Sequence, residues 1–255
     1  MDVVVVVKMV PDLVEELEID AGGRDLDRSL LRLRPNEFDE HAVEEALQLK
    51  GKHGGRVTVI ALHTGDVDEA LYTCLAKGAD RALKIAGDFA GASSHAAAAV
   101  LANAIRALPH DLILTGVQAP DDRDGQVGIL LAEALGLPHV SVVSGVEPAG
   151  DRLVTVRQEY AGGVMAELEI DLPCVLGIQA AREAPRYAPV SKVRQLMKTA
   201  KLDEVAATGE GTAGSTVIRM AKPERGGCAE MVEGSPEEIA DRLFAILRGK
   251  GFINA

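Results

Sequence analysis

Residues 111–138 read DLILTGVQAPDDRDGQVGILLAEALGLP, and this stretch decides the fold. The apolar run Asp111–Thr115 is typical of a strand buried on both faces. A loop of glycines, aspartates and glutamines follows it, and Asp124–Leu135 then has the apolar spacing of a helix that ends at Gly136 and Pro138. A buried strand that passes through a polar loop into a helix is the first half of a β-α-β unit. The stretch therefore predicts a parallel sheet.

The same alternation of strand and helix continues along the first two-thirds of the chain. Asn36 is expected to cap a helix whose apolar face includes Phe38 and Ala42. Alternating strands and helices predict an α/β fold with a doubly wound, mostly parallel sheet. Further strands are predicted at Val3–Val7, Arg56–Leu62, Arg81–Ile85, His139–Val143 and Pro173–Ile178, and further helices at Val67–Lys77 and Ser93–Leu108.

Two segments interrupt this alternation. Between Pro11 and Asn36, short alternating runs surround a pair of glycines, which predicts a β-hairpin inserted after the first strand. Later in the chain, Val146–Gln158 and Val164–Ile170 also alternate and are joined through a second pair of glycines. We expect these two segments to be antiparallel strands added at one edge of the sheet.

Composition excludes several classes of protein. The 255 residues carry 39 acidic side chains against 27 lysines and arginines, and this net charge of −12 disfavours non-specific nucleic-acid binding. Aromatic residues make up 3% and tryptophan is absent, so a base-stacking surface is not expected. Three separated cysteines form no disulfide framework or zinc cluster, and a cytoplasmic location is expected. The run Val3–Val7 is too short for a signal peptide's core or a membrane span.

The charge of the chain reverses between Arg182 and Lys201. Six basic residues stand in this segment against one acidic residue, Glu183. Two explanations remain open: the segment is a solvated face, or it is a docking segment for an acidic partner.

The end of the chain is expected to form an arm. Gly, Ala, Thr and Glu dominate residues 205–215, which is typical of a flexible linker. A helix is predicted at Pro236–Arg248, with Ser235 as its N-cap. The chain is therefore expected to divide into an α/β domain at 1–204 and a linker with an arm at 205–255, the arm contacting another subunit.

Open parallel sheets bind ligands at the carboxyl ends of their strands, so the loop after Thr115 is the first candidate site. Gly125 and Gly128 allow close approach to the backbone, and amides at the start of the next helix bind phosphate. Gln118 and Gln126 offer side-chain amides to a base edge or a phosphate. A polar turn with a capped helix, or a calcium site on the aspartates of the loop, are the alternatives. No G-x-G-x-x-G fingerprint follows the first strand, and no P-loop motif occurs in the sequence.

No catalytic constellation is recognised in the sequence. His63, at a predicted strand end, is the one plausible catalyst among six histidines, and a solvated histidine is the simpler explanation. Cys74 lies within a predicted helix and is expected to be a small core residue. The residues therefore predict no catalytic centre.

Several segments, taken in order, resemble the β subunit of electron transfer flavoproteins over nearly the whole chain. The order and the spacing of these segments make the resemblance specific. The segments are VVVKMVPD, NEFDEHAVEEALQLK, AKGADRAL, DLILTGVQAPDDRDGQVGILLAEALGLP and LEIDLPCVLGIQAAREAPRYAP, together with the late linker and helix.

The resemblance implies a heterodimer that carries electrons from flavin dehydrogenases, such as acyl-CoA dehydrogenases, to a quinone-reducing or other acceptor. It implies that FAD lies mainly in the α subunit. The β subunit would have a Rossmann-like fold, similar to the adenine-nucleotide α-hydrolases, and would bind AMP or, in electron-bifurcating members, a second FAD. Leu13 and Phe38 match positions near the α-subunit flavin. Carried over, the nucleotide-binding residues are Val6, Asn36, Glu37, Phe38, Asp39, Thr64, Gln118, Ala119, Asp121, Asp122, Arg123, Asp124, Gly125, Gln126, Val127, Gly128 and Ile129.

The basic segment resembles the family's partner recognition loop over Ala180–Leu202. Val190 stands where the family tends to have an anchoring leucine, and the lysines that usually follow are sparse here. In the nucleotide loop, Arg123 stands where many members have an acidic residue. The residues expected to recognise the dehydrogenase are Pro185, Arg186, Tyr187, Val190, Lys192 and Arg194.

Three functions stay open from the sequence. The favoured one is an electron carrier subunit without its own catalytic residues. The second is an electron-bifurcating subunit whose second flavin accepts hydride from NADH, and the third is a nucleotide-sensing module with no role in electron transfer. No metal, nucleic-acid partner or membrane span is expected in any of the three.

Overall fold

Successive valines of the first strand point to opposite faces of the sheet and enter two separate apolar cores. Val3 and Val5 pack into one core, whereas Val4 and Val6 pack into the other. All four side chains are buried, with at most 8% of their surface exposed. A strand buried on both faces needs helices on both sides, and the predicted doubly wound α/β fold is confirmed.

The structure is a computed structural model, and it describes residues 1–253 except Leu30, Arg123, 209–213, Ser215, 224–226 and Cys228. The predicted role of Arg123 and part of the predicted linker therefore lie outside the described residues. The strands are β1 (Asp2–Val6), β2 (Met9–Pro11), β3 (Leu33–Pro35), β4 (Arg56–Leu62), β5 (Arg81–Ala86), β6 (Leu112–Gly116), β7 (His139–Pro148), β8 (Leu153–Glu159), β9 (Met165–Asp171), β10 (Cys174–Ile178) and β11 (Asp203–Ala206). The helices are α1 (Glu37–His53), α2 (Val67–Lys77), α3 (Ser94–Ile105), α4 (Gln126–Leu135), α5 (Val190–Thr199) and α6 (Pro236–Gly249).

The main sheet has nine strands in the order β11-β5-β4-β1-β6-β10-β7-β8-β9. Neighbours from β11 to β7 are parallel, and β8 and β9 add the expected antiparallel edge. Helices α1 and α2 pack on one face, and α3 and α4 pack on the other. The chain runs outward from β1 through β4 and β5, then returns to place β6 on the other side of β1. The carboxyl ends of β1 and β6 thus form the topological switch point, where sheets of this kind bind ligands.

The antiparallel hairpin predicted between the first strand and α1 is present, in two short pieces. Within this segment the described residues form one isolated antiparallel bridge, between Ile19 and Leu26. The antiparallel ladder pairs β2 with β3, at the two ends of the segment. A two-stranded ladder is stable when one apolar face packs against the rest of the protein. Val14, within the segment, is 87% exposed, so its side chain does not contribute to such a face.

The bounds of the antiparallel edge also differ from the prediction. Val146–Gln158 is not one strand, because its first residues continue β7 to Pro148 and the remainder forms β8. The backbone N–H of Ala149 donates to the carbonyl oxygen of Leu153 and closes a turn that contains Gly150 at a φ of 106°. Only glycine adopts this φ without strain, so the turn is placed there.

The strand β11 joins the parallel sheet beside β5 and crosses residue 204, where the sequence placed a domain boundary. The chain forms two compact units, Met1–Met220 and Ala221–Ala255. The second unit contains α6, which begins with a capping box of Ser235 and Glu238. The prediction that Ser235 is the N-cap of this helix is therefore confirmed. Its large apolar side chains are exposed: Leu243, Phe244, Ile246 and Leu247.

Candidate functional site

The buried carboxylate of Asp39 joins the carboxyl ends of β1 and β6 at the switch point. Its Oδ2 accepts a hydrogen bond from the backbone N–H of Lys8 at 2.9 Å, and its Oδ1 accepts one from Gly116 at 3.0 Å. The side-chain amide of Asn36 donates to the same Oδ1 at 3.0 Å. Burial raises the pKa of Asp39 to about 7, although these N–H donors favour the ionised form. Asp39 therefore holds three chain segments together where a ligand is expected.

Asn36 precedes α1, but its side chain makes no capping hydrogen bond, so the predicted capping role is wrong. Its Nδ2 donates instead to Asp39 and, at 3.0 Å, to the carbonyl oxygen of Gln118. The amide is thus directed at the candidate loop rather than at the free amides of the helix. Asn36 Oδ1 and Thr115 Oγ1 are buried with no hydrogen-bond partner among the described residues. Since unpaired buried polar atoms are costly, these two atoms indicate a polar ligand at this point.

The loop after β6 folds back in a tight turn. The backbone groups of Ala119 and Asp122 hydrogen bond to each other in both directions, at 3.2 and 3.0 Å. Gly125, with a left-handed φ of 63°, then leads into α4, and Gly125 and Val127 both line the cleft at the switch point. The first amides of a helix have no partner within it and attract anions. The turn therefore places the start of α4 at the switch point.

Gly128 has a packing role in the structure, whereas the sequence assigned it to ligand approach. A Cβ at this position would lie 2.8 Å from Thr115 Oγ1 and 3.2 Å from His139 Nε2. Both distances are shorter than ordinary contacts, so only glycine lets α4 pack this closely on β6 and β7. A larger side chain at Gly128 is therefore expected to disturb the fold whether or not a ligand is bound.

The cleft at the switch point has a volume of about 30 Å³. Its lining includes eight of the predicted nucleotide-binding residues: Val6, Asn36, Asp39, Gln118, Ala119, Asp122, Gly125 and Val127. It also includes four that sequence reasoning missed: Lys8, Thr115, Gly116 and Val117. The signal that could have found Lys8 and Thr115 is their position at the carboxyl ends of adjacent strands.

The remaining predicted residues lie outside the lining of this cleft. Asp121 reaches back toward it, because its Oδ1 is 2.6 Å from Lys8 Nζ. Leu13 and Ile129 are 63% and 53% exposed, so both side chains are available to a partner. The others outside the lining are Glu37, Phe38, Thr64, Asp124, Gln126 and Gly128.

The basic segment contains a helix, α5, and is anchored on buried carboxylates of α1. Arg186 donates to Glu44 through Nε and Nη2, both at 2.8 Å, and through its backbone N–H at 3.0 Å. Burial acts to raise the pKa of Glu44, but the hydrogen bonds from Arg186 outweigh it and leave the pKa below its usual value. The adjacent Glu45 accepts from the backbone N–H of Arg182 at 3.3 Å. The start of the segment is therefore anchored to α1.

The predicted recognition residues divide into anchored and exposed side chains. Lys192 Nζ donates to the carbonyl oxygen of Ala76, near the end of α2, at 2.6 Å. Tyr187 and Val190 are 79% and 54% exposed, and Arg194 is exposed as well. The exposed apolar side chains are the ones that a partner can reach. A cleft of about 510 Å³ adjoins the segment and is lined by Arg34, Glu37, Glu40, His41, Thr73, Lys77, Pro185, Arg186, Tyr187 and Ala188.

In the described part of the chain, no group of histidine, cysteine and acidic side chains is arranged to hold a metal. Cys74 is a buried free thiol whose pKa burial raises to about 12, and its predicted core position is confirmed. Among the described residues no helix has the length and apolar character needed to cross a bilayer.

Comparison with known proteins identifies the family to which the sequence is similar. The family model described as "Electron transfer flavoprotein domain" matches residues 27–209. An electron transfer flavoprotein subunit beta of Methylophilus methylotrophus is 34% identical over 260 residues, covering 97% of this chain and 98% of its own. One of Syntrophomonas wolfei is 34% identical, covering 94% and 93%. Subunit CarD of the caffeyl-CoA reductase-Etf complex of Acetobacterium woodii is 30% identical, covering 99% and 100%.

Proposed function

This chain belongs to the electron transfer flavoprotein family, and we propose that it is the β subunit of a heterodimer that carries electrons from flavin dehydrogenases to a quinone-reducing or other acceptor. An α subunit would hold the redox-active FAD. This chain would bind a structural AMP and would have no catalytic residues of its own. Its division into a nucleotide-binding domain at 1–204 and a linker and arm at 205–255, and a cytoplasmic location, belong to the same proposal.

The unpaired buried atoms Asn36 Oδ1 and Thr115 Oγ1 are the observation that carries the nucleotide site. Both residues line the cleft, together with Gly125 and Val127 at the start of α4. Hydroxyl and amino groups of a nucleotide can donate to both atoms, and its phosphate suits the start of a helix. The residues present therefore fit a nucleotide. The chain's own contribution is to bind and orient the group, and the flavin of the complex supplies the redox chemistry.

The exposed apolar side chains of α6 support the heterodimer. Leu243, Phe244 and Leu247 are each more than 40% exposed, as is Phe252 just after the helix. A contiguous exposed apolar surface marks an interaction site in most folded proteins. We assign this surface to contact with the α subunit.

Electron bifurcation is the second candidate function. Two relatives carry names of reductase complexes: the acryloyl-CoA reductase electron transfer subunit gamma of Anaerotignum propionicum and the CarD subunit of Acetobacterium woodii. A second FAD in this subunit would make the complex an oxidoreductase. Its phosphates would use the same helix end as AMP, so the cleft supports either ligand.

Coexpression with the α subunit and counting of the bound cofactors tests these proposals. One FAD and one AMP per purified heterodimer, by absorbance and mass spectrometry, is the expected result. Two FAD per heterodimer would establish the bifurcating alternative instead. A complex without flavin would favour a nucleotide-sensing module, and a stable yellow β chain purified alone would contradict the proposed division of labour.

A further inference from the structure

Lys8 stands at the carboxyl end of β1 and reaches across the candidate nucleotide site. Its backbone N–H is fixed by Asp39 at 2.9 Å, so the start of its side chain is held at the switch point. Its Nζ ends 2.6 Å from Oδ1 of Asp121, in the loop that leads to α4. The two side chains are 31% and 42% exposed, so the ion pair is partly solvated and weakly held.

The lining of the cleft is short of positive charge. Among its described residues Lys8 is the cation, and Asp39 and Asp122 are acidic. A nucleotide phosphate placed here would meet the negative charge of Asp122, and that of Asp39 above its pKa of about 7. The dipole of α4 is the other source of stabilisation for the phosphate. Within the described lining, Lys8 is therefore the side chain suited to compensate a phosphate.

The cleft is smaller than a nucleotide, and the loop after β6 forms one of its walls. The cleft holds about 30 Å³, whereas ligand pockets are commonly about 300 Å³ or more. Among the described residues, two polar contacts join the loop to the opposite side: the Lys8–Asp121 ion pair and the hydrogen bond from Asn36 Nδ2 to the carbonyl oxygen of Gln118. Withdrawal of the loop would release Lys8 Nζ in the same step that opens the site.

We propose that Lys8 binds the phosphate of the nucleotide, and that Asp121 competes with this phosphate for the lysine. The inference rests on the proposed nucleotide site, and it assigns opposite effects to the two ends of one ion pair. Lys8 increases phosphate affinity, whereas Asp121 decreases it by occupying the same ammonium group. The unpaired Asn36 Oδ1 and Thr115 Oγ1 supply the independent indication that a polar ligand belongs in this cleft.

The test is calorimetric titration of nucleotide-depleted heterodimer with AMP and, separately, with adenosine, which lacks the phosphate. Lys8→Met should weaken AMP binding about tenfold or more, the typical effect of losing a charge-assisted hydrogen bond, and leave adenosine binding unchanged. Asp121→Asn should tighten AMP binding several-fold. In the double variant the Asp121 effect should vanish, because no lysine remains to compete for.

Matched controls separate these effects from net charge and folding. Lys52→Met and Glu133→Gln remove one charge of each sign on the exposed surface and should leave AMP affinity unchanged. Lys8→Arg keeps the charge and should retain most of the affinity. An equal loss of adenosine and AMP binding in Lys8→Met would overturn the inference, as would weaker AMP binding in Asp121→Asn. A wild-type complex that binds neither AMP nor FAD would overturn the proposed nucleotide site itself.

Discussion

Arg186 and Glu44 form a two-pronged ion pair across 142 positions of sequence, with Nε and Nη2 both 2.8 Å from the carboxylate. Glu44 is 2% exposed, so its charge depends on this partner. The pair fixes the start of the basic segment Arg182–Lys201 against α1, the same helix whose first residues reach the candidate nucleotide site. If this segment binds a dehydrogenase, its start is already ordered, and less entropy would be lost on binding.

Glu44→Gln is expected to loosen the basic segment. Loss of the charged hydrogen bonds should lower the free energy of unfolding by about 1–3 kcal/mol. Trypsin should then cleave more quickly after Arg186 and the basic residues that follow. Limited proteolysis of the heterodimer measures this. Glu40→Gln removes an α1 carboxylate that pairs with Lys77 and should leave the cleavage rate unchanged. Equal rates in both variants would contradict the anchoring role.

Val190→Ala and Val193→Ala should separate binding from stability on one helix. Val190 is 54% exposed, so its truncation should weaken the complex with a dehydrogenase by roughly 1 kcal/mol and leave the thermal midpoint unchanged. Val193 is 8% exposed and packs near Ala76 and Ala188. Its truncation removes two buried methyl groups and should cost about 1.5 kcal/mol of stability. Thermal unfolding and dehydrogenase titration of both variants check the assignment, and a stability loss in Val190→Ala would refute it.

Charge reversal at Arg194 and at Lys192 should have different consequences. Arg194 is exposed, and Arg194→Glu should slow association with an acidic partner and flatten its salt dependence, because screening acts over about 10 Å at 0.1 M salt. Lys192 donates to a carbonyl near the end of α2, so Lys192→Glu should also lower stability, by about 0.5–1 kcal/mol. Stopped-flow reduction over a salt series, with thermal unfolding, tests both. Unchanged kinetics in both variants would show that the segment is a solvated face.

Asp39 should make the stability of the protein depend on pH. Its pKa is about 7 in the folded protein against a usual 3.8. Between these values the folded state holds one proton more than the unfolded state. Protonation of Asp39 therefore adds to the free energy of unfolding. This contribution is complete below about pH 4 and is lost as pH rises through about 7, at up to about 1.4 kcal/mol per pH unit.

Asp39→Asn should remove this pH dependence, although it also disturbs hydrogen bonds to Lys8 and Gly116. Urea unfolding at pH 5, 6, 7 and 8 measures the free energy of unfolding of wild type and variant. The difference between the two free energies should grow toward pH 5. Asp151→Asn changes an exposed carboxyl and serves as the control. A difference that stays constant with pH would show that Asp39 is ionised throughout this range.

The sequence was sufficient for the architecture where a short segment carries its own signal. Arg56–Leu62 and Val67–Lys77 occur as predicted, to the residue. The loop after Thr115 was predicted to be a ligand site, because the ends of parallel strands meet at one edge of the sheet. The alternative of a packing role for Gly128 was missed, since it depends on Thr115 and His139 in two other strands.

What the sequence by itself determined is the alternation of buried strands and amphipathic helices, because periodicity is a local property of the chain. Only the tertiary structure decided which charges meet. Arg186 and Lys192 look alike in a basic run, yet one binds a buried carboxylate of α1 and the other the carbonyl end of α2. Lys8 and Asp121 are likewise paired by the return of β6 to the side of β1. Such contacts join residues more than a hundred positions apart. Periodicity along the chain reports only on near neighbours, so it carries no information about which distant residues meet.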